Sequence, residues 1–134
     1  MGHRVRRWLA DACALIDFFT ADPNFPSTVR QILEVEPESV AVAASTVGEI
    51  AIETARGKLA DIRIGGHDTP VEMLQAHGFD LLPLDPATAE QAETLPFLHA
   101  DPFDRALIAV AQRTGRGILT SDGIIRRYGV SVVW

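Results

Sequence analysis

The chain has 134 residues, 47% of them hydrophobic, and a formal net charge of −6 at pH 7. That length suits one domain with a real core, and that apolar share excludes a disordered tail. The acidic balance argues against a simple basic nucleic-acid binder, and no apolar run approaches the roughly 18 residues of a membrane span.

The opening MGHRVRRWLADACALIDFF is basic and then apolar, as a secretion signal is. Asp11 and Asp17 interrupt the apolar stretch and no small-residue cleavage site follows, so a cytoplasmic protein is expected. VRRWLA (5–10) reads as a first strand, with a helix following directly through ALIDFF. Pro26 and Ser27 open a second helix, TVRQILEV, whose apolar residues recur at helical spacing. VAVAA (40–44) is short, apolar and uninterrupted, as a strand buried on both faces should be. Ser45 and Thr46 then cap the helix VGEIAIETAR, which Gly57 stops.

Residues 61–70 read as a loop, and Thr69-Pro70 starts a helix that ends at Gly78. FDLLPL (79–84) is a third strand. Asp85-Pro86 opens a helix to about Leu95, and Asp101-Pro102 opens a longer one, FDRALIAVAQRT, ending at Gly115. GILT (117–120) and VSVVW (130–134) complete five strands. Strands separated by helices imply parallel pairing, hence an α/β sandwich.

Other residues carry weaker signals. The single cysteine, Cys13, forms no internal disulfide and reads as a small buried residue. The four histidines show no HxH, HExxH or Cys/His spacing, which argues against a zinc site. Arginines and the one lysine group at 4–7, 56–63 and 113–127, and each group reads as a solvated face.

The acids are more informative. Ligands of an open parallel sheet bind beyond the carboxyl ends of its strands. Asp11 ends the first strand, Glu49 lies one turn into the helix after the second, and Asp122 follows the fourth in ILTSD. Asp104 opens the helix that feeds the fourth strand. Each has a structural reading as well: Asp11 as an N-cap, Glu49 as partner of Thr46 in a capping box, Asp104 as a first-turn acid, Asp122 as a turn residue before Gly123. Their shared edge is what favours function. Clustered carboxylates repel, and a hard divalent cation such as magnesium or manganese removes that penalty and suits phosphoryl hydrolysis.

On LADACAL, STVGEIAIETARGKL, LPLDPATAEQAETLPFLHADPFDRALIAVAQ and ILTSD, in that order, the chain resembles a PIN-domain protein of the VapC toxin type. DPFDRALIA is the most specific piece, and the resemblance covers nearly the whole chain. It implies a single PIN domain over residues 1–134, a three-layer sandwich with a five-stranded, mainly parallel sheet flanked by helices. It implies a metal-dependent endoribonuclease, the toxin of a toxin–antitoxin pair, with Asp11, Glu49, Asp104 and Asp122 as catalytic acids and ligands of Mg2+ or Mn2+. Metal-activated water would cleave single-stranded or looped RNA, leaving a 5′-phosphate and a 3′-hydroxyl. Thr120 is expected to orient ligands or water, and Asp101 to cap the helix and support the site. Arg56, Lys58 and Arg105 are the expected RNA contacts.

A VapB-like antitoxin with a basic segment is the implied partner, together with a homodimer whose surface the apolar residues 14–19 and 29–35 would supply unless the core takes them. Three positions depart from relatives: Cys13 stands where Ser or Thr is common, Gly48 where Trp is common, and Glu53 where Lys is common. These touch substrate contacts and packing, not the acids. Two other readings compete: a PIN-like module that binds RNA or protein without cutting, and a response-regulator receiver domain. The receiver would need a second acid beside Asp11 and a lysine near the end, but Lys58 is the only lysine.

Overall fold

The computed structural model describes residues 7–57 and 67–134. Five strands, β1 (Trp8–Ala10), β2 (Val40–Ala43), β3 (Asp80–Leu82), β4 (Gly117–Leu119) and β5 (Val132–Val133), form one sheet in the order β3-β2-β1-β4-β5. Every pairing is parallel. Among the described residues six α-helices connect them: α1 (Ala12–Phe19), α2 (Ser27–Val35), α3 (Ala44–Ala55), α4 (Pro70–His77), α5 (Pro86–Thr94) and α6 (Pro102–Thr114). The chain lays β2 and β3 on one side of β1, then crosses to lay β4 and β5 on the other. The strand order therefore reverses between β1 and β4, and a crevice opens at their carboxyl ends.

The alternation within each strand explains the layers. Trp8, Ala10, Val40, Val42 and Leu119 face one core, shared with Leu15, Val29, Leu33, Ile50 and Leu74 of α1 to α4. Leu9, Ala41, Ala43 and Ile118 face the other, shared with Leu107, Ile108 and Val110 of α6. Both faces are covered, so the strands read as unbroken apolar runs instead of alternating with polar residues. Each large side chain so buried contributes about 2 kcal/mol. A third cluster, Ala92 with Ala106 and Ala109, lets α5 lie close along α6.

The strands are shorter than their apolar runs, because pairing stops where the chain turns to enter a helix. Residues 5 and 6 of the expected first strand, Lys58 and the loop up to Gly66 lie outside the described residues. The cap expected from Ser45 and Thr46 is not formed. β2 runs straight into α3, whose first residue is Ala44 and whose N-cap position is Ala43 with no side-chain bond. Thr46 is thereby inside the first turn, where it cannot close a capping box with Glu49. Caps at Thr69, Asp85 and Asp101 are present, each bonding a backbone N–H of the following helix.

Glycine is required at position 117 by close approach: a Cβ there would meet the Trp8 ring at 2.6 Å. Gly115, at φ +70°, ends α6 in the left-handed conformation. Of the early apolar residues offered for self-association, the core takes Ala14, Leu15, Val29 and Leu33, whereas Val35 is exposed. Among the described residues no helix is long and apolar enough to cross a membrane.

Candidate active site

Asp11 sits where β1 ends, its N–H bonded to the Leu119 carbonyl of β4 at 3.2 Å. Its carboxylate accepts the Ala14 N–H at 2.7 Å and so caps α1. The capping reading is met, and the cap leaves the same side chain at the carboxyl edge of the sheet. Asp11 is buried, and desolvation raises its pKa, against lowering by the Thr120 hydroxyl and the Ala14 N–H.

Thr120, fully buried, follows β4 and accepts the Asp122 N–H at 3.1 Å. Asp122 in turn accepts the Ile124 N–H on Oδ1 at 2.9 Å, which shapes the turn expected there. Its Oδ2 lies 2.6 Å from His99 Nε2. Asp104, in the first turn of α6, places Oδ2 3.1 Å from the same nitrogen. Asp101 is the cap of α6, its carboxylate accepting the Phe103 N–H at 2.9 Å.

Glu49 and Asp104 show what the crowding costs. Burial, then Asp104, Asp101 and Asp11, push Glu49 up to about 7. Burial, then Asp101, push Asp104 up to about 6, with His99 acting in the opposite direction. Five acids thus share one field at the carboxyl edge: Asp11 after β1, Glu49 on α3, Asp101 and Asp104 at the start of α6, and Asp122 in the turn after β4. Among the described residues, His99, Asp104 and Asp122 are the group whose ligand atoms all lie within 4.8 Å of one another. Asp11 and Glu49 are tied to them by charge and not by that distance.

The donor set fits a hard divalent ion. Carboxylate oxygens dominate, and they destabilise one another as anions. A groove of about 480 Å³ continues from Glu49 along Ile52, Glu53 and Arg56 on α3 and past Asp101 and Phe103. Arg56 stands at this groove, paired at 3.7 Å with Glu53, and is largely exposed.

Arg105 corrects the sequence reading. Its side chain is buried, and the guanidinium donates to the carbonyls of Glu93, Leu95, Pro96 and His99 at 2.9 to 3.4 Å. Both terminal nitrogens serve the last turn of α5 and the α5–α6 loop, which places the group inside the fold and away from an RNA surface. Cys13 is also corrected: it is exposed. Desolvation, then the Asp11 and Glu49 carboxyls, push its thiol up to about 11.

His99 is the residue that spacing did not reveal. It belongs to no metal-binding pattern, and its one signal was adjacency to the acid motif in HADPFD.

Several solved structures share this fold. VapC20 of Mycobacterium tuberculosis, a toxin that cleaves the sarcin–ricin loop, superposes with a TM-score of 0.67 at 16% identity, covering 92% of this chain and 95% of that one. FitAcB from Neisseria gonorrhoeae gives 0.67 at 18% identity, covering 95% and 96%. FitAB bound to a DNA fragment gives 0.65 at 19% identity, covering 94% and 93%. No curated protein matches the sequence. The PIN domain family model matches residues 9–130, from the first strand to the edge of the last, and the chain belongs to the PIN domain family.

Proposed function

We propose that this chain is a divalent-metal-dependent endoribonuclease, the toxin of a toxin–antitoxin pair. The observation that carries the reading is the convergence of Asp11, Glu49, Asp104 and Asp122 on the crevice between β1 and β4, with Glu49 and Asp104 each pushed up by burial and by neighbouring carboxylates, Asp101 and Asp11 among them. Membership of the PIN family and the structural likeness to VapC20 support it.

The four carboxylates are the groups that would hold Mg2+ or Mn2+, with Asp104 and Asp122 nearest to each other through His99. When bound, such an ion supplies charge for the phosphodiester oxygens and lowers the pKa of a water nucleophile. The chain's own residues do the rest by position. Thr120 and the Asp11 cap fix the first acid against the sheet, so that it needs no reorganisation. Asp101 anchors the first turn that carries Asp104. The groove beside Glu49 offers an aromatic ring, Phe103, and a cation, Arg56, which suit an unpaired base and its phosphate. A duplex would not offer that unstacked base, which favours single-stranded or looped RNA. The partner is an antitoxin with a basic segment, matched to the −6 charge of this chain.

Purified protein free of antitoxin should cleave single-stranded RNA with Mg2+ or Mn2+ and stop when EDTA is added. Retention of RNA without any cleavage, under conditions where the protein binds Mn2+, would favour the binding-module reading instead.

A further inference from the structure

The acids at the carboxyl edge come from separate elements, and two of them meet on one ring. His99 Nε2 lies 2.6 Å from Asp122 Oδ2 and 3.1 Å from Asp104 Oδ2. From the geometry we infer that His99 is a positioning residue that ties Asp104 to Asp122 through its Nε2–H and stays outside the set of metal ligands. The inference rests on reading these acids as a metal centre.

The ring's other nitrogen decides the point. Nδ1 accepts the Asp101 N–H at 3.1 Å, so the ring proton resides on Nε2. A protonated ring nitrogen has no lone pair to give a metal. To become a ligand, His99 would have to move its proton to Nδ1, where it would face the Asp101 N–H donor. As a donor, by contrast, one N–H serves both carboxylates. Each oxygen it touches keeps a second lone pair, and the direction of that pair is set by the bond already made.

The loop that presents His99 is held from two sides. Tyr128 Oη accepts the N–H groups of Leu98 at 3.0 Å and His99 at 2.8 Å, and donates to the Pro96 carbonyl at 2.7 Å. Arg105 donates to the His99, Pro96 and Leu95 carbonyls from below, and the Phe97 ring lies 5.2 Å from its guanidinium carbon. From this clamped loop the His99 imidazole reaches Asp104 and Asp122. The ring is 11% exposed, so water competes little for its N–H.

The test is Mn2+ binding to the whole chain, followed by electron paramagnetic resonance and calorimetry. Wild type should bind Mn2+ with no imidazole-nitrogen coupling, and Asp104→Asn should lose that ion, which locates it. His99→Ala should weaken binding about ten- to a hundredfold. His99→Gln, whose amide N–H falls near the Nε2 position, should recover most of that loss. Strong nitrogen coupling in wild type would make His99 a ligand and overturn the inference. Equal Mn2+ affinity in wild type and His99→Ala would overturn it too, while leaving the metal-centre reading intact. If wild type bound no Mn2+ at all, both would fall. Should His99→Ala fail to fold, the Gln variant and the wild-type spectrum still decide.

Discussion

The starts of α1 and α6 solve one problem in two ways. Each helix opens on an aspartate whose side chain caps the first turn, Asp11 on the Ala14 N–H and Asp101 on the Phe103 N–H. At α1 the cap is itself the acid proposed for the site. At α6 the two jobs are divided: Asp101 caps, Pro102 takes the first helical position, and Asp104 is left free to face His99. The positive end of a helix dipole tolerates carboxylates, which is why both starts can contribute acids to one edge. A capping role therefore does not compete with the site role proposed for these acids.

The division can be broken by substitution. The largest effect is expected from Asp11→Asn and Asp104→Asn. Asn is as good a cap as Asp, so Asp11→Asn should keep the start of α1 while RNA cleavage falls on the order of a thousandfold. Asp104→Asn should fall as far, with little change in melting temperature. Normal cleavage by Asp104→Asn together with loss in Asp101→Asn would reverse the assignment within DPFDR.

Next in size is Arg105→Ala. The start of α6 depends on the α5–α6 loop, and removing a buried guanidinium from four carbonyls should cost about 3 kcal/mol in denaturant unfolding. A loss confined to RNA affinity at full stability would restore it as an RNA contact. Asp101→Ala should cost about 1 kcal/mol and lower cleavage far less than any change at Asp104.

The smallest effect is on pH. Glu49 and Asp104 stand at about 7 and about 6 in the folded chain, above their ordinary values of 4.5 and 3.8. The folded chain therefore binds more protons than the unfolded one between those limits, and stability without metal must fall as pH rises through that window. The penalty is absent below pH about 4 and complete above about 7. Melting in EDTA at pH 5 and pH 8 should show the decline, Asp104→Asn should reduce it, and Mg2+ should offset it at the higher pH. A melting temperature that rose with pH in EDTA would contradict the crowding of these acids.

Much of this was legible in the chain. The apolar runs at 40–44 and 117–120 located two strands, and Thr69-Pro70, Asp85-Pro86 and Asp101-Pro102 marked helix starts within a residue. The cap at Ser45 and Thr46 was misread because nothing local tells a strand to enter a helix without a loop. Arg105 was misread because a charged residue in an amphipathic helix looks exposed until another segment covers it. Cys13 is the opposite case: small and apolar in character, it suits a core by type and lies at the surface.

Local chemistry determined the periodicity, the caps and the presence of acids at strand ends, because each depends on neighbours a few residues away. Which acids meet was decided only by the tertiary structure. Asp11, Glu49, Asp104 and Asp122 share a field because the strand order reverses between β1 and β4, and parallel strands end at one edge. The role of His99 lay further out of reach. It depends on Tyr128 and Arg105 holding a loop by its backbone, and backbone carbonyls and amides carry no sequence signature.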